Sequence, residues 1–332
     1  MLFPPITTND QGDERRVGFE IEYLGLNLSK TARLILEAFG EQDAPDRIIK
    51  RHKNACRVET SALGPFTVEV DVELLQKLAE SSEQKTGSDA LDFEGAVEEL
   101  ISPLITSFAP NEVVTPPIPL SRLGELENLV DLMRDAGAEG TGVSISYAFG
   151  LHINPEAPSL KADSIRAHIQ AFLLLYEWLQ EEMRMNFSRR LTSFAGAFPK
   201  RYTRLVLSPY YTPDLSRLID DYLEFNPTRN RALDLLPLFS VLDERRVQAV
   251  TTDSLIKKRP TYHLRMPDCR IDDPSWQPTV EWNRWVMVEK LADDEDLLHR
   301  MMDHRQSLRD NLLSDFTEKW LIASRNYVER MR

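Results

Sequence analysis

Apolar and polar side chains alternate from residue 16 in RVGFEIEYL, where Val17, Phe19, Ile21 and Tyr23 fall on one side and Glu20 and Glu22 on the other. A strand turns successive side chains to opposite faces, so this run predicts one buried flank and one flank carrying two carboxylates. Residues 65–74 repeat the design, with Phe66, Val68, Val70 and Val72 facing one way and Glu69, Asp71 and Glu73 the other. Shorter strands are expected at 56–60 and 95–102, the latter stopped by Pro103, and residues 111–119 read as an extended connection. Residues 142–155, 261–267 and 278–289 also read as strands.

Helical spacing appears first after Ser29, the expected N-cap of a helix through Ala32, Ile35 and Phe39 that stops at Gly40. It returns from Ser121, with Leu123, Leu126, Leu129, Val130 and Met133 on one stripe before a glycine-rich turn. From 159 to 187 the chain lacks Gly and Pro and aligns Ile165, Ile169, Phe172, Tyr176, Leu179 and Met183, predicting a long buried helix. Residues 214–225 and 229–241 are shorter helical candidates, and 293–332 reads as a charged helical tail. The expected class is α+β, with a mainly antiparallel, curved sheet. Its concave face would carry the acids and its helices would pack on the other side. The expected organisation is a flexible lead-in over 1–15, one main domain over 16–290, and a helical extension over 291–332 packed on it.

Composition narrows the function classes. With 332 residues and 42% hydrophobic content, the chain can bury a large core. A net charge of −13 argues against a nucleic-acid or anionic-membrane surface, which would draw its affinity from clustered Lys and Arg. Two cysteines, Cys56 and Cys269, are too few for a disulfide framework and lack zinc-site pairing, so a reducing cytoplasm is the expected compartment. The N-terminus lacks the basic start and apolar core of a signal peptide, and no apolar run is long enough to span a bilayer.

Polar groups gather in five segments: Glu20 with Glu22, Asp71 with Glu73, Glu99, His152 with Asn154, and Glu281. Paired carboxylates facing one way repel each other unless a cation or solvent separates them, and hard divalent ions favour such oxygen ligands. The plain alternative is an antiparallel strand with a wet outer face. The order of GFEIE (18–22), the strand ending at Asp71, ELISPL (99–104), GLHIN (150–154), Arg201-Tyr202 and VEW (280–282) resembles the amidoligase family. That family belongs with the glutamine synthetase and glutamate-cysteine ligase group of carboxylate-amine ligases.

The resemblance implies a glutamine synthetase-like catalytic fold and an ATP- and Mg²⁺- or Mn²⁺-dependent ligase that joins a carboxylate to an amine through an acyl phosphate. Its substrates would be small-molecule or peptide carboxylates and amines. By the same resemblance Glu20, Glu22, Glu99 and Glu281 would hold metal, and His152 would contact metal or nucleotide. Asn154 would sit on the face of His152, near bound cofactor, as would Glu281. Arg265, and after it Arg201, would clamp phosphate or a substrate carboxylate through a bidentate fork. The chain departs from relatives that end with Glu-x-Arg, since Asn283 follows Glu281 at that spacing and Arg284 comes one residue later. It also has His152-Ile153-Asn154 where some relatives have His-x-His. Two alternatives are a phosphotransferase on the same scaffold and a catalytically weakened nucleotide-binding or regulatory protein.

Overall fold

In the computed structural model the described residues are 1–52, 54–70, 110–141, 149–183, 195–310 and 315–332. They contain nine strands and nine α-helices with antiparallel strand pairing, and so form an α+β protein. The chain divides into two compact units. A β-rich unit comprises Val17–His152 and Asp268–Thr279, and a helical unit comprises Met1–Arg16, Ile153–Pro267 and Val280–Arg332.

The β-rich unit is built on β1 (Arg16–Tyr23), β2 (Ile48–His52), β3 (Ala55–Thr60), β4 (Gly64–Val70) and β5 (Asn111–Val114), ordered β2-β3-β4-β5-β1, with β6 (Ile118–Pro119) also pairing β1. The expected alternation of β1 is present: Val17, Phe19, Ile21 and Tyr23 are buried. Register then fixes what shares a face. Ile21 lies opposite Val113, which lies opposite Val68, so an apolar row crosses three strands. Helices α1 (Leu28–Ala38) and α2 (Leu126–Asp135) supply the matching apolar stripes, Ile35 and Leu36 on one and Leu129, Val130 and Met133 on the other. Phe39 meets Phe66 with ring centroids 5.5 Å apart, and the Tyr23 hydroxyl donates to Thr31 Oγ1 at 2.8 Å. The N-cap of α1 is Asn27, whose side chain accepts from the Lys30 amide, two residues ahead of the expected Ser29. Gly25 holds φ +84° after β1, and a Cβ there would lie 2.2 Å from the Gly137 carbonyl oxygen, so only glycine fits.

In the helical unit, α3 (Ala162–Glu182) is the long buried helix that the spacing predicts, with Ile165, Ile169, Phe172 and Leu179 inside. Around it lie α4 (Lys200–Val206), α5 (Leu215–Phe225), α8 (Glu295–Asp310) and α9 (Phe316–Met331). Phe172, Phe198, Tyr202, Tyr222 and Phe239 form one aromatic cluster by edge and tilted contacts. Trp320 of α9 donates its indole N–H to the Leu174 carbonyl at 3.0 Å, fixing the C-terminal helix on α3. Residues 1–15 are held within this unit. Trp282 donates to the Leu2 carbonyl, and the buried Arg15 forms a two-pronged ion pair with Glu289 at 2.7 and 2.8 Å.

Two expectations are corrected. Residues 278–289 are not a strand but the start of α7 (Pro278–Asp293), where Trp282, Trp285, Val286 and Val288 are all fully buried. A helix buried over most of its surface shows only a weak one-sided stripe, and its Trp and Val content imitates a strand. Residues 229–241 are not one helix either. They hold the short strand β8 (Leu233–Asp234) and the first turns of α6 (Leu236–Gln248), whose early proline suits a helix start.

Candidate metal centre

In the β-rich unit the same register that lines up Ile21, Val113 and Val68 lines up carboxylates on the opposite face. Glu22 of β1 lies directly across from Glu112 of β5, and Glu112 across from Glu69 of β4. Like charges in direct cross-strand positions are unfavourable. Three in a row concentrate negative charge on this face.

Beside β1 runs the start of β7 (Leu151–Pro155). The Glu22 amide donates to the Gly150 carbonyl at 3.1 Å, and the Gly150 amide donates to Glu22 Oε2 at 2.5 Å, which fixes that carboxylate. Its other oxygen, Oε1, faces His152 Nε2 at 3.5 Å, while His152 Nδ1 lies 2.8 Å from Glu20 Oε2. Glu22 and His152 are buried. Glu22, Glu112 and His152 each offer one ligand atom, and these three atoms lie within 4.8 Å of one another. That span suits several donors around one divalent ion. Carboxylate oxygens suit hard ions such as Mg²⁺ and Mn²⁺, and the imidazole adds a nitrogen donor that transition metals accept.

The structure therefore brings Glu20, Glu22 and His152 together, and adds Glu112, which the sequence reading missed. Its signal was present in NEVV (111–114), where Asn111 and Val113 are buried and Glu112 faces away, but four residues before a proline pair are too few to establish a period. Glu99, like Asp71 and Glu73, lies outside the described residues.

The remaining candidates are in the helical unit. β9 (His263–Leu264) pairs β7 with Ile153 opposite Leu264, and pairs β8 with Asp234 opposite His263. The antiparallel register, continued by the Glu156 and Thr261 bridge, carries Asn154 across from His263. A polar row of Asn154, His263 and Asp234 thus backs the apolar row of Ile153, Leu264 and Leu233. Asn154 Oδ1 accepts from Arg259 Nη2 at 2.7 Å, and His263 Nδ1 lies 3.4 Å from Asp234 Oδ2. Burial pushes the Asp234 carboxyl up to about 7, against the Leu236 amide that hydrogen-bonds it and the charges of Arg265, Arg259 and Arg229. Arg265 is buried in this cationic group, whereas Arg201 is exposed on α4 beside the buried Tyr202.

Glu281 sits on α7, fully buried, in an ion pair with Arg284 one helical turn on. Because the segment is helical, Arg284 shares the face of Glu281. Asn283 accepts from the Leu2 amide at 2.6 Å.

Comparison with known proteins adds one match. The family model described as a putative amidoligase enzyme covers residues 13–287. No curated protein and no solved structure matches the chain.

Proposed function

Since the chain belongs to the amidoligase family, we propose that it is an ATP- and divalent-metal-dependent ligase forming an amide bond between a carboxylate and an amine. The observation that carries the reading is the convergence of Glu22, Glu112 and His152 within 4.8 Å on an acidic strand face. Glu20 is the fourth member, through its contact with His152. A bound divalent ion would neutralise phosphate oxygens during γ-phosphoryl transfer.

The protein's own groups supply position and charge. Gly150 locks one oxygen of Glu22, leaving Oε1 directed toward the imidazole, so this carboxylate has little freedom to relax away from its neighbours. Glu20 orients the His152 ring through Nδ1, which leaves Nε2 as the nitrogen beside Glu22. In the helical unit, the buried Arg265 and the half-buried Arg259 offer positive charge suited to a phosphate or a substrate carboxylate. Glu281 is assigned to the metal shell or the nucleotide only as part of this reading, as are Asn154, Arg201 and Glu99. A glutamine synthetase-like fold and a cytoplasmic location belong to the same reading.

The test is nucleotide turnover with candidate acids and amines. A ligase acting through an acyl phosphate releases ADP and phosphate only when acid, amine and divalent ion are all present. Oxygen-18 in the acid should appear in the phosphate, because the attacked oxygen leaves with it. AMP as product, or unlabelled phosphate, would rule this mechanism out. ADP formation that needs an acceptor but no amine would favour a phosphotransferase.

A further inference from the structure

A second site lies in the helical unit, between α3, α4, α8 and α9. A cleft of about 400 Å³ opens there, within the size range of small-molecule pockets. Leu173 and Tyr176 of α3, with Phe198 and Phe316, give it apolar and aromatic walls. Its charged lining is unequal: Lys200, Arg204, Arg305 and Arg309 stand against Glu177 among the described lining residues. In a chain of net charge −13 such a cationic lining runs against the average.

Arg305 and Glu177 form the floor. The Arg305 guanidinium lies 5.0 Å from the Phe316 ring centroid and 5.7 Å from that of Trp320, and its Nη2 is 3.4 Å from Glu177 Oε1. Arg305 Nε and Glu177 Oε2 are both buried without a hydrogen-bond partner. Orphaned buried polar atoms are uncommon and mark a place where a further polar group fits. Lys200, Arg204 and Arg309 are solvent-exposed on the rim. Glu177 is engaged by Arg305, so the charge of the rim is left uncompensated by any carboxylate lining the cleft among the described residues.

We infer that this cleft binds a small amphipathic anion, an aromatic or acyl body bearing one carboxylate or phosphate. The apolar body lies against Phe198, Tyr176 and Phe316, and the anionic end meets Lys200, Arg204 and Arg309. Arginine and lysine accept either anion, arginine in two-pronged fashion. The inference does not rest on ligase activity and concerns residues outside the metal centre.

Calorimetric titration in the presence of a chelator tests it, with hippurate and phenyl phosphate as the two anionic probes and the neutral hippuramide as control. At least one anion should bind one-to-one with a dissociation constant of about 1 mM or tighter, as expected for about a dozen non-hydrogen atoms. Which anion binds more tightly separates a carboxylate ligand from a phosphate ligand. The neutral amide should bind at least about tenfold more weakly, and added salt should weaken the anion. A Lys200→Ala, Arg309→Ala double variant, altered only at exposed positions, should keep its melting temperature and lose about tenfold in affinity. No binding of either anion, equal binding of hippuramide, or unchanged affinity in a folded double variant would each overturn the assignment.

Discussion

Replacing Glu112 by Gln removes one charge from the carboxylate row at nearly constant volume, and its consequence can be worked from the geometry. The ligand oxygens of Glu22 and Glu112 lie no more than 4.8 Å apart. Two unit charges at that distance repel by about 3.5 kcal/mol at an effective dielectric constant of about 20. Glu112 is only half-buried and water screens it, which brings the repulsion of this pair to about 1–2 kcal/mol. In chelator, Glu112→Gln should therefore be more stable than the parent, with a melting temperature higher by several degrees. Saturating Mn²⁺ should reverse the order. A ligand at a hundred times its dissociation constant stabilises by about 2.7 kcal/mol, and the variant forfeits much of that by losing a donor. Thermal melts of both proteins, with chelator and with a Mn²⁺ series, provide the assay. A variant that is less stable than the parent without metal, or that keeps the full Mn²⁺ response, would refute the argument that this row is a strained, metal-accepting face.

Glu22→Gln and His152→Ala should each abolish most of the Mn²⁺-induced melting shift, read by the same assay, because each removes a donor of the converging set. Arg15→Met should cost about 3–5 kcal/mol in urea denaturation by leaving Glu289 buried and uncompensated, while Arg15→Met with Glu289→Gln should cost less than the single change. Asp234 has a folded-state pKa raised from 3.8 to about 7, so its favourable contribution is complete below pH 4 and is lost as pH rises through about 7; Asp234→Asn should flatten the stability profile across that window in urea titrations. Gly25→Ala should lower the melting temperature sharply, by a loss of about 2 kcal/mol or more, since the new Cβ meets the Gly137 carbonyl in a positive-φ backbone.

Local periodicity determined much of this protein. The alternation in β1 and β4 assigned a core face and an acidic face before any partner strand was known, because a two-residue period is a property of the backbone alone. The stripe of α3 and the buried face of α2 were legible for the same reason, at the helical period. Glu20, Glu22 and His152 were legible as polar positions on strands, together with the family resemblance that the match over residues 13–287 supports.

Tertiary structure decided what local pattern could not encode. Residues 278–289 fold as a helix because tertiary packing over most of its surface overrides the strand preference of their Trp and Val residues, and this turns Glu281 and Arg284 into a pair on one helix face. Glu112 becomes a candidate ligand only through strand pairing, since its position opposite Glu22 depends on register between segments about 90 residues apart. The row of Asn154, His263 and Asp234 arises in the same way, from three short strands too brief to announce themselves. A sequence fixes which side of its own strand a carboxylate occupies. Which carboxylates then share a face, close enough to offer ligands to one cation, follows from register, and register is set by packing across the sheet.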